Sequence, residues 1–220
     1  MFDYSEKYIH RVEDFIAEDD ANYLLSYLDS MQIEDPHAQK QIRFLEKLDN
    51  KKAESIVKKY EKKTYLEILG NYSSKIDIRI EHLAWMRRLE LVKWNYNKTL
   101  DPHRDGHTFI PEEPELSLST LIYLNDDYIG GEIAFADYGI SIKPKARELI
   151  IFPSHFLHEV KATQELSGGS RRCTLPMFYT FQARKFGEFS HLSYLEQIEE
   201  FENQEGEYFY QGETERKVVR

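Results

Sequence analysis

The apolar residues of this chain change their spacing near residue 75, and that change limits the folds open to it. Before it the spacing is helical. Glu18-Asp19-Asp20 makes an acidic first turn, and Ala21, Leu24, Leu25, Leu28 and Met31 recur at three and four residues. Asp35-Pro36 starts a second helix, with Ile42, Leu45 and Leu48 on one face. A third carries Ala53, Ile56, Val57 and Tyr60, then Leu66 and Leu69, and stops at Gly70. Its lysines (51, 52, 58, 59, 62 and 63) are best taken as a solvated face. After residue 75 the period becomes two, beginning with Ile76, Ile78 and Ile80. Leu89 and Leu91 continue it towards the aromatic pair Trp94 and Tyr96. Strand-like runs follow at 116–124, 132–136, 140–143, 148–152, 158–162 and 173–181. Asp101-Pro102, Asp105-Gly106, Gly130-Gly131, Pro144, Pro153 and Gly168-Gly169 punctuate them.

Many short strands with regular turns imply an antiparallel sandwich or barrel, here a jelly roll. The expected class is α+β in a single domain. Residues 1–75 form a helical support, 76–185 a double-stranded β-helix (jelly roll, cupin-like), and 186–220 a short helix with an acidic tail.

Composition removes several function classes. A net charge of −10 disfavours a broad nucleic-acid surface, which needs Lys and Arg against phosphate. The single cysteine can form neither an internal disulfide nor a Cys-rich zinc site. The N-terminus lacks the layout of a secretory signal, and no apolar run approaches a membrane span. A protein of a reducing compartment, in the cytoplasm and off the membrane, is expected.

The chemistry gathers in a few motifs. In Pro102-His103-Arg104-Asp105-Gly106, His103 and Asp105 are two apart, so an extended strand points both to one face. An imidazole and a carboxylate so placed can share a metal. Alone, such a pair is common on surfaces. Support comes from His158-Glu159-Val160, at the start of a later strand that a jelly roll can bring alongside. Two histidines and one carboxylate on one face of an octahedral ion form the facial triad of non-haem Fe(II) sites. His107 offers an alternative pairing with Asp105, and His155 lies one turn from His158. Arg172, entering the strand Cys173-Thr174-Leu175-Pro176, can fork onto a carboxylate, and Tyr123 can donate to the same group. Arg171 is a second candidate anchor. Alternation placing Arg172, Thr174 and Pro176 on one face favours Arg172.

In order and spacing these elements resemble the Fe(II)- and 2-oxoglutarate-dependent oxygenases, in their prolyl 4-hydroxylase-like branch. The resemblance runs through Pro102–Gly106, Tyr123-Leu124-Asn125, Gly130-Gly131-Glu132, Ile151-Phe152-Pro153-Ser154, His158-Glu159-Val160 and Arg172 with Phe178 six residues on. The stretch Ile9-His10-Arg11-Val12-Glu13-Asp14-Phe15 also looks like the start of the helical support of that family. The resemblance implies Fe(II) on His103, Asp105 and His158. It implies 2-oxoglutarate on Arg172 with Tyr123 assisting, and a pocket lined by Leu121, Ile133, Val160 and Pro176. O2 is then the co-reactant, ascorbate the reductant, and succinate and CO2 the products beside a hydroxylated substrate.

Three functions are open on this reading. The first is hydroxylation of a peptide or protein, at proline. The loop 108–115, with Glu112, Glu113 and Glu115, would give it an acidic rim suited to a basic partner. The second is the same chemistry on a free amino acid or other small metabolite. The third is a non-catalytic metal-binding jelly roll. Nucleic acid is an unlikely partner, because Thr174 and Phe178 stand where the repair branch expects Asn and Arg.

Overall fold

The computed structural model describes residues 7–30, 40–44, 50–76, 84–85, 90–105 and 117–180. In chain order the strands are β1 His10–Val12, β2 Lys40–Phe44, β3 Ala84–Trp85, β4 Glu90–Trp94, β5 Leu100–His103, β6 Leu118–Tyr123 and β7 Ile129–Gly130. They continue with β8 Ile133–Phe135, β9 Ile140–Ile142, β10 Leu149–Pro153, β11 His158–Val160, β12 Thr163–Gln164 and β13 Cys173–Thr180. The helices are α1 Glu18–Ser30, α2 Lys51–Glu67 and α3 Ser73–Ile76, with a π-helical turn over Ile68–Tyr72 joining the last two.

Two antiparallel sheets form the core. The larger runs β1-β10-β6-β13-β4-β2, with β3 also on β13. The smaller runs β5-β11-β8-β9, and β7 pairs with β12 separately. The pleat sorts the larger sheet's side chains into two sets. Leu91, Leu118, Ile122, Leu149, Ile151, Leu175, Met177 and Tyr179 join Leu24, Leu28, Ile56, Val57 and Tyr60 of the helices in one buried cluster. From the other face Tyr123, Ile150 and Phe152 meet Ile133, Phe135, Ile142 and Val160 of the smaller sheet. With both faces covered, β6 and β10 are buried almost throughout, so their exposure does not alternate although their partners do.

The helical layer is fixed by specific contacts. Asn50 caps α2, its side chain accepting from Lys52 N at 3.0 Å and Ala53 N at 3.2 Å. Such a cap contributes about 1 kcal/mol. Lys93 points to the helix side of β4 and binds Asp29 at 2.5 Å near the end of α1. The α2 lysines behave as a solvated face where paired, with Lys58 on Glu54 and Lys59 on Asp20.

Four expectations need correction. Lys40–Phe44 is a strand, not part of a helix begun at Asp35, and pairs with β4 from Lys40↔Trp94 to Phe44↔Glu90. Three apolar residues spaced by three are a weak helical signal, and an open strand edge outweighs it. Helix does not stop at Gly70. Burial of Ile68 and Tyr72 carries it through the π turn, offsetting the roughly 1 kcal/mol cost of a helical glycine. Ile76 therefore ends a helix rather than opening a strand. The stretch from Ile9 starts as an edge strand, with His10 opposite Ile151, not as helix. Ile78, Ile80, Leu45, Leu48, the loop 108–115, the expected helix at 192–201 and the tail lie outside the described residues. Among the described residues no helix is long and apolar enough to cross a membrane.

Glu148 ties this frame together. It is fully buried, and its carboxylate accepts from Arg11 Nε at 2.6 Å and Lys145 N at 2.9 Å. It thus holds β1 to the turn before β10. Glu148→Ala should lower stability by about 2 kcal/mol, since it strands a buried amide and removes a charge-assisted bond. Urea unfolding checks this: the midpoint should fall while the slope stays constant.

Candidate active site

One pairing places the two histidines. Strands β5 and β11 run antiparallel with His103 opposite His158, and the ring centres are 4.3 Å apart. Just beyond the end of β5, Asp105 reaches both rings. Its Oδ1 is 3.3 Å from His103 Nε2 and its Oδ2 is 3.6 Å from His158 Nε2. One ligand atom from each residue lies within 4.8 Å of the others. Donors about 2.1 Å from an octahedral ion and at right angles are about 3 Å apart, so small movements would seat all three.

Both rings are oriented from behind. His103 Nδ1 donates to Asp101 O at 2.7 Å, and His158 Nδ1 donates to Phe156 O at 3.0 Å. Carbonyls only accept, so Nδ1 carries a proton in each ring, and Nε2 is the nitrogen turned to the metal position, a ligand once it carries no proton of its own. Asp105 is held by Ser119, whose hydroxyl donates to Oδ2 at 2.7 Å and contacts Ser154 Oγ at 2.8 Å. Phe152 and Phe135 pack edge-on or tilted against His158.

The charges are interdependent. The hydrogen bond to Asp105 raises the pKa of His103, against the effect of burial. Burial lowers that of the nearly enclosed His158. For Asp105, burial pushes upward but is outweighed by the His103 bond, the His158 charge and the Ser119 hydroxyl, so its carboxyl stays below the ordinary range.

A cavity of about 280 Å³ opens on this cluster, and its far wall carries Arg172. Arg172 is 2 % exposed, its guanidinium stacks 4.0 Å from the centre of Trp94, and its Nε has no hydrogen-bond partner. Burial lowers its pKa, with no acidic side chain among the opposing influences. The Tyr123 hydroxyl is likewise buried without a partner, which pushes its pKa up to about 12. A buried cation and a buried phenol lacking partners cost several kcal/mol unless an anion joins them. A carboxylate has the charge and the acceptor geometry for both.

The sequence-derived site is thus largely one place. His103, Asp105, His158, Arg172, Tyr123, Leu121, Val160 and Pro176 all line this cavity. Ile133 does not; it is fully buried in the cluster between the sheets. Arg171 points elsewhere, donating to Asn95 at 2.9 Å and lying over Tyr96. His155 is exposed and outside the cluster, and His107 lies outside the described residues. Cys173 faces the helical core, and burial pushes its thiol up to about 12.

Residues 89–180 match the model of the 2OG-Fe(II) oxygenase superfamily. Over this segment the chain is similar to the 2OG-Fe(II) oxygenases. No curated protein matches the chain. Among solved structures, the chain is similar to the viral collagen prolyl hydroxylase of Paramecium bursaria Chlorella virus-1 in its 2OG complex. The TM-score is 0.60 at 16% identity, covering 78% of this chain and 94% of that one. It is similar to a prolyl hydroxylase from Trichoplax adhaerens in complex with a hypoxia-inducible-factor degradation-domain peptide (TM-score 0.59, 12% identity, 81% and 86% covered). It also resembles a Pseudomonas putida prolyl-4-hydroxylase (TM-score 0.55, 17% identity, 78% and 91% covered). At these identities the likeness carries the fold alone, a jelly-roll core with helical support.

Sequence reasoning missed three contributors to this site. Ser119 and Ser154 steady Asp105, and Trp94 carries the Arg172 guanidinium. Serines inside apolar strands, two and four residues before Leu121 and Tyr123 in phase, were the available signal for Ser119. Ser119→Ala should cost about 10- to 100-fold in metal affinity while the fold persists, as chelator competition would measure. Metal binding must also displace the raised His103 proton. Affinity should therefore fall as pH drops through and below that raised value, with proton release visible as a buffer-dependent heat in calorimetry.

Proposed function

We propose that this chain is an Fe(II)- and 2-oxoglutarate-dependent hydroxylase of peptidyl substrates, acting at proline. The observation that carries the reading is Arg172. It is a buried guanidinium with an unpartnered Nε, facing the same cavity as the His103, Asp105 and His158 cluster. A metal beside an anion anchor is what a carboxylate-bearing cosubstrate needs, and the likeness to the oxygenases points to the same pair of ligands.

His103, Asp105 and His158 would hold Fe(II), and a facial arrangement leaves the remaining positions for cosubstrate and O2. Iron, when bound, supplies the oxygen activation that no side chain can. Arg172 and Tyr123 would bind the distal carboxylate, and the Trp94 face keeps the guanidinium from swinging away. Leu121, Val160 and Pro176 give the cosubstrate an apolar sleeve that excludes water. Ser119 and Ser154 keep Asp105 ionised and aimed at the metal position. The peptidyl substrate is supported by the structural neighbours, one of which was solved with a peptide.

The purified chain with Fe(II), ascorbate and 2-oxoglutarate should form succinate slowly without substrate, and faster with it. Mass spectrometry of proline-containing peptides should find one added oxygen. His103→Ala should abolish metal binding, whereas Arg172→Ala should weaken 2-oxoglutarate binding at least about tenfold with metal retained. Background succinate together with no calorimetric 2-oxoglutarate binding by the metal-loaded protein would defeat the proposal.

A further inference from the structure

The turn between β10 and β11 reaches both arms of the metal cluster through three consecutive residues. Ser154 Oγ lies 2.8 Å from the Ser119 hydroxyl that holds Asp105. The carbonyl of His155 accepts from Arg104 Nε at 3.0 Å. The carbonyl of Phe156 accepts from His158 Nδ1 at 3.0 Å. The turn is closed by Phe156 N donating to Pro153 O at 3.0 Å, and it is tied to the start of β6 by Ser154 N donating to Ser117 O at 3.0 Å.

Arg104 is the member of this set without a task in the function proposed above. It stands between His103 and Asp105, just past the end of β5. The pairing of β5 with β11 ends at His103 and His158, and its register has already shifted between His158 and Val160. Strand pairing therefore stops one residue before Arg104 and leaves the placing of Asp105 to side chains. An arginine suits that position. Its Nε, part-way along the side chain, donates to the turn, and Nη2 goes on to Asp137 Oδ2 at 3.4 Å.

A second short turn, Ala136–Tyr138 between β8 and β9, backs the first. Asp137 meets Arg104, and the next residue, Tyr138, packs on Phe156 with ring centres 4.4 Å apart. Each of these surface contacts is weak alone. Their convergence is what matters, because the residues they hold are the ones that aim the three ligands.

We infer that Arg104 is a positioning residue for the metal, tying the arm that carries His103 and Asp105 to the turn that aims His158. This rests on the metal-binding role proposed above. Ligands already held in place lose less freedom when the ion arrives, so the tie strengthens binding. Charge alone gives the opposite sign. Arg104 lines the same cavity as the triad, so its guanidinium repels a dication, and removing it would tighten metal binding.

Two neutral substitutions separate these effects. Arg104→Met keeps the length of the stem and loses the donor. Arg104→Gln carries its amide nitrogen on Cδ, where arginine carries Nε, and can donate to His155 O. Mn(II) affinity of the purified chain, read by chelator competition, should fall about tenfold in Arg104→Met and recover at least about threefold of that in Arg104→Gln. The urea midpoint of the metal-free protein should stay at the wild-type value, since the side chain is 40% exposed. An Arg104→Met affinity at or above wild type, equal affinities in the two variants, or a metal-free midpoint that falls with the affinity overturns the inference. The wild-type chain separates the two levels. If it binds no Mn(II), the metal-binding function falls as well. If it binds Mn(II) and Arg104→Met binds as tightly, only this inference falls.

Discussion

Strand β13 can point each side chain only up or down, and the site and the scaffold divide along that constraint. Cys173, Leu175, Met177 and Tyr179 go to the helices, while Arg172, Thr174, Pro176 and Phe178 go to the cavity. Because β13 is held by β6 on one side and β4 on the other, its register fixes theirs. Tyr123 sits opposite Thr174 and Leu121 opposite Pro176, which aligns the cavity-facing residues of adjacent strands. A slip by one residue would bury the guanidinium among helices and send Leu175 into the site. The helical layer thus does more than cover a sheet. By requiring an apolar face, it determines which residues remain for chemistry.

The same economy governs the electrostatics. Asp105 is the meeting point of two imidazoles and a hydroxyl, and each of these favours its ionised form. Across the cavity Arg172 has an aromatic face and no acidic partner. The site therefore sets a fixed negative charge and a fixed positive charge on the walls of one cavity. A ligand that engages both must offer a metal-binding group and an anion.

Much of this was legible because the chemistry is local. The two-residue spacing of His103 and Asp105 and the alternation after Arg172 are properties of a strand, which sequence reports directly. The pairing of His103 with His158, 55 residues apart in sequence, needed the fold, yet the fold was visible in the strand rhythm. What stayed hidden depended on partners rather than pattern. Residues 40–44 become a strand because β4 offers an edge, and β1 exists because β10 does. Gly70 reads as a stop, and only the buried Ile68 and Tyr72 around it show why the helix goes on. Ser119 reads as an ordinary strand serine until Asp105 is placed beside it. Ile133 failed for the opposite reason: motif position assigned it to the cavity, but the pleat of a three-residue strand turns it into the intersheet core.

The short strand β1 has a consequence for how the chain reaches this state. Residues 10–12 find their partners only at 149–151, and Arg11 finds Glu148 137 positions away. The strand stays unpaired until a segment about 140 positions further along has taken its place in the sheet. Contacts of such long range slow folding, since the loop must close before they return any stability. That edge of the larger sheet is thus a seam whose closure depends on β10 already standing in place.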